Sequence, residues 1–480
     1  MSTSSPATSI PTELLGEIFE WSTTLAPRLQ PHHPLIAPLP KFDTTALVIS
    51  QVSSTWRTIA LTSPRLWTTM AVYNPSATAL NLVNFYLSRA GSTELLALYL
   101  TEQDALKDYY FGLGPPRRPG DKEWRYTEAI LRMWLKYTHR WQSIFFDFRG
   151  GPLPLALMSL DASVLTVPNL RDVAIHDGIV RAPQTKQLFN DLWNKLHTLP
   201  TLRTTYWEYG HTFSAPFFQL TAFTLRDTSL DKLCKILQQS ERLENLTIEW
   251  LEVYPVHTDA DLATTSTGAV TVPNLQILNL ENLADTSLER TQALLKHLIT
   301  PRLQELIIER IPALSLYPQS TLSDFLSQSK CSLRTLVLGK RCSEIQTLDI
   351  LRFANENHLL DHLERLTMKG AFAQNVLDLF HVHRPGIPPT TSSRRGDFFP
   401  DIPFPSLLNL KIGFCRAPTD GRISEILIER AKAGAGIRLF ECCVTSFDGQ
   451  PYHLDHKKFK WIEDFGTECK VTYIKRLVSD

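Results

Sequence analysis

The sequence predicts an α/β chain: a short helical N-terminal unit, then an irregular solenoid with a parallel sheet. Three observations predict it. A hexad of the form apolar-x-x-apolar-x-apolar recurs along most of the 480 residues, and its clear copies are mostly 28 to 32 residues apart. That period fits a strand, a turn, a helix and a return. A proline stands two residues before a leucine in PRL (Pro64), PNL (Pro168), PTL (Pro200), PNL (Pro273), PRL (Pro301) and PSL (Pro405).

The N-terminal unit, residues 9–70 after a disordered stretch over 1–8, rests on two apolar helical patterns. In SIPTELLGEIFEWST, Pro11 at a helix start precedes Leu14, Leu15, Ile18 and Phe19, spaced as one helical face. In LVISQVSSTWRTIALTSPRLW, Val48, Val52, Trp56, Ile59 and Ala60 repeat that spacing, and Pro64 stops the helix. So short a unit cannot bury apolar residues on several faces, and the surplus face expects a partner. Trp56 fits either the core of the unit or a contact.

The repeat region spans 71–445. WTTMAV at Trp67 is a weak first copy; LLALYL, WQSIFF, LRDVAI, LTAFTL and LENLTI follow at Leu95, Trp141, Leu170, Leu220 and Leu243. LQILNL, LQELII, LRTLVL, LERLTM and LLNLKI come next at Leu275, Leu303, Leu333, Leu363 and Leu407, with a weak last copy, IRLFEC, at Ile437. Positions four and six point to one face of a strand and position five to the other, because side chains alternate. Proline, lacking an N–H for the ladder, is expected at the start of each strand. TVPNL occurs twice, at Thr166 and Thr271, each time opening a hexad.

Between strands, apolar residues fall at helical spacing in SLDKLCKILQQ, SLERTQALLKHLI, EIQTLDILRFANE and RISEILIERAKA. LRTTYW at Leu202 precedes the next copy by 18 residues, too few for a full unit, so the rule must break there. Two Pro-, Gly- and Arg-rich stretches, from Gly112 and His383, are expected as surface loops. Residues 446–480 are expected to cap the C-terminal end. A conventional α/β domain whose parallel strands share a pattern fits the same residues.

Composition narrows the function. With 49 basic and 49 acidic residues the net charge is zero, without the electrostatic footprint of a general nucleic-acid or membrane-surface binder. No stretch is long and apolar enough for a membrane span and no secretory pattern opens the chain, so a cytoplasmic or nuclear protein is expected. Seven scattered cysteines without a C-x-x-C pair fit reduced thiols. Hydrolase and metalloprotease motifs are missing, and the sequon at Asn245 sits inside a strand pattern. His358 with His362, His381 with His383, and His453 with His456 have ligand-like spacing, yet no neighbouring ligand set, and read as solvated histidines. No catalytic, cofactor or metal residue is assigned.

The hexads resemble leucine-rich repeats over roughly residues 67 to 445, without the family's asparagine ladder. The N-terminal unit resembles an F-box, through Ile10-Pro11, Glu13-Leu14-Leu15, Ile18-Phe19, Val52, Trp56-Arg57, Ile59-Ala60, Pro64 and Leu66-Trp67, with an insert from Leu25 between the two blocks. F-box proteins with irregular leucine-rich repeats are common in fungi. The resemblance implies that the F-box docks a Skp-type adaptor, and through it a cullin, while the repeats hold a protein substrate for ubiquitination. Carried onto this sequence, it places Pro11, Leu14, Leu15 and Ile18 in the adaptor contact, with Val52 and Ile59 contributing. The alternative is a repeat scaffold or adaptor that delivers nothing to a ligase.

The strand pattern also marks a substrate surface. Glu249, Glu281 and Glu309 fall just after the sixth hexad position on neighbouring strands, beside Ile277, Ile307 and Val337. An exposed acidic row next to an apolar patch expects a basic-apolar partner segment; an ordinary solvated sheet face fits equally.

Overall fold

The computed structural model describes residues 10–25, 44–73, 75–101, 124–148, 153–160, 165–176, 183–207, 216–251, 268–281, 288–309, 318–340, 344–373, 375–382, 402–416, 421–446 and 466–475. Cys342, Asp455, Lys458, Ile462 and Glu463 are described as single positions. The two Pro-rich stretches, from Gly112 to Lys122 and from His383 to Pro400, and the insert after Leu25 lie outside them. The chain divides into two compact units, Met1–Pro216 and Phe217–Asp480. Both are mixed α/β.

The first unit opens with helices α1 (Thr12–Leu25), α2 (Thr45–Val52) and α3 (Ser54–Thr62) and a 3-10 turn, Pro64–Trp67. Five strands follow: β1 (Thr69–Tyr73), β2 (Leu96–Thr101), β3 (Trp141–Asp147), β4 (Asp172–His176) and β5 (Thr204–Trp207). They pair in parallel, in chain order. Between them run α4 (Ala77–Arg89), α5 (Trp124–Trp134), α6 (Leu155–Met158) and α7 (Pro183–His197). The core is aromatic: Trp67, Trp134, Trp141, Trp193 and Trp207 are all buried. Two of these indoles find backbone partners, Trp67 Nε1 donating to Ala60 at 2.8 Å and Trp141 Nε1 to Trp134 at 3.2 Å, as a buried N–H requires.

The second unit carries β6 (Ala222–Thr228), α8 (Leu230–Gln239), β7 (Asn245–Leu251), β8 (Val270–Thr271), β9 (Ile277–Leu280), α9 (Leu288–His297), β10 (Leu298–Ile299) and β11 (Glu305–Ile308). It continues with α10 (Pro318–Ser329), β12 (Thr335–Leu338), α11 (Glu344–Glu356), β13 (Arg365–Ala373), α12 (Asn375–Asp378), β14 (Asn409–Arg416), α13 (Arg422–Lys432), β15 (Leu439–Ser446) and β16 (Glu468–Lys475). Strands β8 and β10 form a separate parallel pair; the other nine pair in parallel, each with the next.

The hexad explains this register. In the second unit the leucines that open it, Leu220, Leu243, Leu275, Leu303, Leu333, Leu363 and Leu407, are at most 1% exposed. Positions four and six, such as Leu278 with Leu280 and Leu336 with Leu338, are buried too. Each such side chain contributes about 1.5–3 kcal/mol, so slipping one strand by a residue would turn a whole leucine set to the wrong face.

The prolines act differently from the expectation. Pro168, Pro200, Pro273, Pro301 and Pro405 stand four residues ahead of the strand, not at its first residue. Each sits inside a turn in which the hexad's first leucine donates its N–H three residues back, as Leu170 does to Val167 and Leu303 to Thr300. Proline's fixed φ suits the second position of such a turn. The turn lays the leucine into the core before the ladder begins. In both TVPNL copies the asparagine ties this turn to an earlier segment: Asn169 Nδ2 donates to His139 O at 2.9 Å and Asn274 Nδ2 to Glu241 O at 2.8 Å.

Two further differences stand out. Residues 202–220 yield a real strand, β5, followed among the described residues only by a 3-10 turn, Phe217–Gln219, before β6, and the boundary between the units falls there. The expected cap over 446–480 contains β16, which extends the sheet by a strand. No helix among the described residues is long and apolar enough to cross a membrane.

Candidate functional site

In the first unit, α1 has an inner and an outer apolar face. Leu15 and Phe19, one turn apart, are 4% and 2% exposed, and the Phe19 ring meets Trp56 of α3 with centroids 4.7 Å apart. Ser53 caps α3 by accepting from Trp56 N at 3.1 Å, which fixes where that indole starts. Trp56 is therefore a packing residue. The outer face carries Leu14, Ile18 and Trp21, at spacings of four and three; Ile10 stands just before the helix, four residues ahead of Leu14, and α2 adds Val48 and Val52, four apart. These six are 36% to 68% exposed.

The concentration is informative. Of the eleven large apolar side chains that the described residues expose, six lie within residues 10–52. Soluble surfaces mostly scatter such residues singly, so this concentration makes the N-terminal helices the candidate interaction surface.

Among the residues expected at an adaptor contact, Pro11, Leu14, Ile18 and Val52 are exposed, and Ile59 is half-buried. Leu15 is a correction: it faces inward beside Phe19 and offers no outer surface. Trp21 and Val48 are exposed too; Val48 belongs to the apolar pattern of the second helical stretch but lies outside the expected adaptor contact, and Trp21 continues the spacing from Ile18.

In the second unit the structure brings the three glutamates onto adjoining strands. Glu281 N donates to Ile248 O at 3.0 Å, and Glu309 N to Leu280 O at 2.9 Å, so each continues the ladder next to its neighbour. Ile277, Ile307 and Val337 are half-buried on the same sheet region. The expectation of an exposed acidic row is corrected: Glu249 and Glu281 are only 8% and 6% exposed.

Electrostatics follow from that burial. Loss of solvent, with Glu249 and Glu309 nearby, pushes the Glu281 carboxyl up to about 8, against the opposing pull of a 2.9 Å hydrogen bond from Asn279 Nδ2 and of Lys369. Burial thus favours the protonated form of Glu281. Glu309 is matched by an ion pair with Lys369. The row carries much less negative charge than three carboxylates imply, because burial and pairing neutralise two of them.

The second unit also contains a cleft of about 410 Å³ whose lining includes Asn355, Glu356, Asp378 and Phe404. Phe404 holds a positive φ of 50° there. Its turn is pinned by the buried Arg430, which donates to Pro403 O at 2.6 Å and Phe404 O at 2.9 Å, and its own N–H goes to Asn355 Oδ1 at 3.2 Å. His358 and His362 are exposed, whereas His383, His453 and His456 lie outside the described residues. The described cysteines are free, most of them buried. No protein-family model matches the chain, and no curated protein matches its sequence.

Proposed function

We propose that the chain is a non-catalytic substrate receptor of a Skp-cullin-F-box ubiquitin ligase, with the outer face of α1 and α2 docking the Skp-type adaptor and the strand repeats holding a protein substrate. The observation that carries this reading is the exposed apolar set Ile10, Leu14, Ile18 and Trp21, with Val48 and Val52 exposed on α2. The F-box resemblance supplies the partner, since its motif residues supply most of that set. Nine strands paired in chain order support reading the second unit as an irregular leucine-rich-repeat solenoid.

Affinity purification of the full chain tests it. The wild type is expected to bring down a Skp-type adaptor and a cullin, and Leu14→Asp/Ile18→Asp to lose both. Two apolar anchors at about 1.5–3 kcal/mol each amount to a hundredfold or more in affinity. Retention of both partners by a folded double variant removes the reading.

The burial of Glu249 and Glu281 favours a second reading at the other end of the protein: a scaffold that docks the adaptor without capturing a substrate on this acidic row. A protein that accumulates when the chain is deleted, and that binds it directly, selects the receptor over the scaffold.

A further inference from the structure

We propose that His381, Glu425 and Glu429 form a binding site for one divalent transition-metal ion of the zinc class, independent of the docking face on α1 and α2. Glu425 and Glu429 stand four residues apart on α13 and so share one face of it. His381 comes from the segment just after α12. One ligand atom from each of the three lies within 4.8 Å of the other two.

One pair of these atoms fits a shared ion. His381 Nε2 and Glu429 Oε2 are 3.2 Å apart. His381 Nδ1 lies 3.1 Å from Val382 O, and a carbonyl only accepts, so Nδ1 carries a proton and the ring is held with Nε2 toward Glu429. In the neutral ring two lone pairs then face each other. A tetrahedral zinc ion with bonds of about 2.0–2.2 Å sets its ligand atoms about 3.3–3.5 Å apart, close to the separation present here. A doubly protonated ring closes the same gap as a plain ion pair, and that is the rival explanation.

The surroundings suit a divalent cation. Arg422 donates to Glu425 Oε2 at 3.0 Å and to Asp378 Oδ1 at 2.7 Å, which holds one oxygen of Glu425 and leaves the other to turn toward the site. Such outer hydrogen bonds commonly orient metal ligands. Three carboxylates, Glu425, Glu429 and Asp378, against one guanidinium leave a formal charge of two negative. Imidazole selects transition ions over magnesium or calcium, which prefer oxygen alone. The side chains of His381 and Glu429 are 25% and 17% exposed, so an ion can enter. Three protein ligands leave a fourth position for water. A bound ion would tie α13 to the segment that follows β13 and α12, joining two successive repeats.

The test uses the full chain, stripped with a chelator and titrated with Zn²⁺, then with Co²⁺ as a spectroscopic substitute. One equivalent of Zn²⁺ is expected to bind, to raise the melting temperature, and to be replaced by Co²⁺ with the visible bands of a four-coordinate ion. His381→Ala and Glu429→Gln are each expected to weaken binding by about tenfold or more. Should either variant fail to fold, Glu425→Gln, on a half-exposed side chain, keeps the test open with the same expected loss. Zinc affinity unchanged in the folded variants overturns the proposal by placing the metal elsewhere. Absence of stoichiometric binding to the wild type overturns it in favour of the ion pair.

Discussion

Lys369 on β13 pairs with Glu309 just past β11, two strands away, and the position between them, just past β12, is Gly339. Adjacent strands are about 4.8 Å apart, so the pair spans a lane that any side chain at 339 would obstruct. A Cβ there would lie 2.2 Å from Glu309 O and 2.4 Å from Glu309 Cα. Glycine is needed for the approach of the backbones as well as for the ion pair.

Gly339→Ala is therefore expected to lower stability by about 1–3 kcal/mol, the range for forcing extra volume into a packed site. Lys369→Met leaves a mostly buried Glu309 without this cation and should cost less than the glycine change, since the lysine is partly solvated. Thermal unfolding of the two variants checks the order. A Gly339→Ala protein as stable as wild type would show that the strands separate at that point without cost.

Stability of the second unit should fall as pH rises through Glu281. Its folded-state carboxyl is raised from 4.5 to about 8, so the folded chain binds the proton more tightly than the unfolded one. The resulting stabilisation is complete below about pH 4.5 and is lost between there and pH 8. Glu281→Gln removes the charge without changing the shape. The variant is expected to exceed wild type by on the order of a few kcal/mol at pH 9 and to approach it at pH 5. Denaturant unfolding of both proteins at the two pH values measures this, and a constant difference would disprove the assignment.

The first unit should respond in the opposite direction. His197 is fully buried, stacked on Trp193 at 4.3 Å, with Nδ1 2.8 Å from Trp193 O and Nε2 3.2 Å from Tyr206 O. Burial pulls its pKa from 6.5 down to about 4, although both carbonyls favour the charged ring. The contribution is present above pH 6.5 and lost as pH falls toward 4. Eight of the ten tryptophans lie in residues 1–216, so fluorescence-detected unfolding follows that unit. Its midpoint is expected to drop on acidification, and His197→Gln to flatten the drop.

The sequence made most of the strands legible because the hexad is a local signal. Leucines at positions one, four and six report which face is buried, and turn prolines mark where β4, β5, β9, β11 and β14 are about to begin. Strand β16, ECKVTYIK, has neither a leading leucine nor a proline turn, and only its pairing with β15 reveals it. Alternation showed that Glu249, Glu281 and Glu309 share a region, but not how deeply they lie, because depth depends on the chain packed around them. His381 and Glu429 are 48 residues apart and meet only through the return of α13 after β14. Nothing local announces that meeting.

The same limit explains Leu15. Leu14 and Leu15 are neighbours in one motif, and successive residues on a helix point about 100° apart, so one of them must take the inner face. The contact between Phe19 and Trp56 decides which: Leu15, one turn before Phe19, follows it inward, and Leu14 follows Ile18 outward. Leu15→Ala should therefore cost about 2–5 kcal/mol of stability by opening a cavity, whereas Leu14→Ala should stay within about 0.5 kcal/mol of wild type. Adaptor binding should show the reverse order once each variant is measured at a temperature where it is folded. Leu14→Ala is expected to weaken the complex by about tenfold or more, and Leu15→Ala to leave it nearly intact. If folded Leu15→Ala lost the adaptor while Leu14→Ala kept it, the docking face would have to lie on the other side of α1, and the outer stripe would need another occupant.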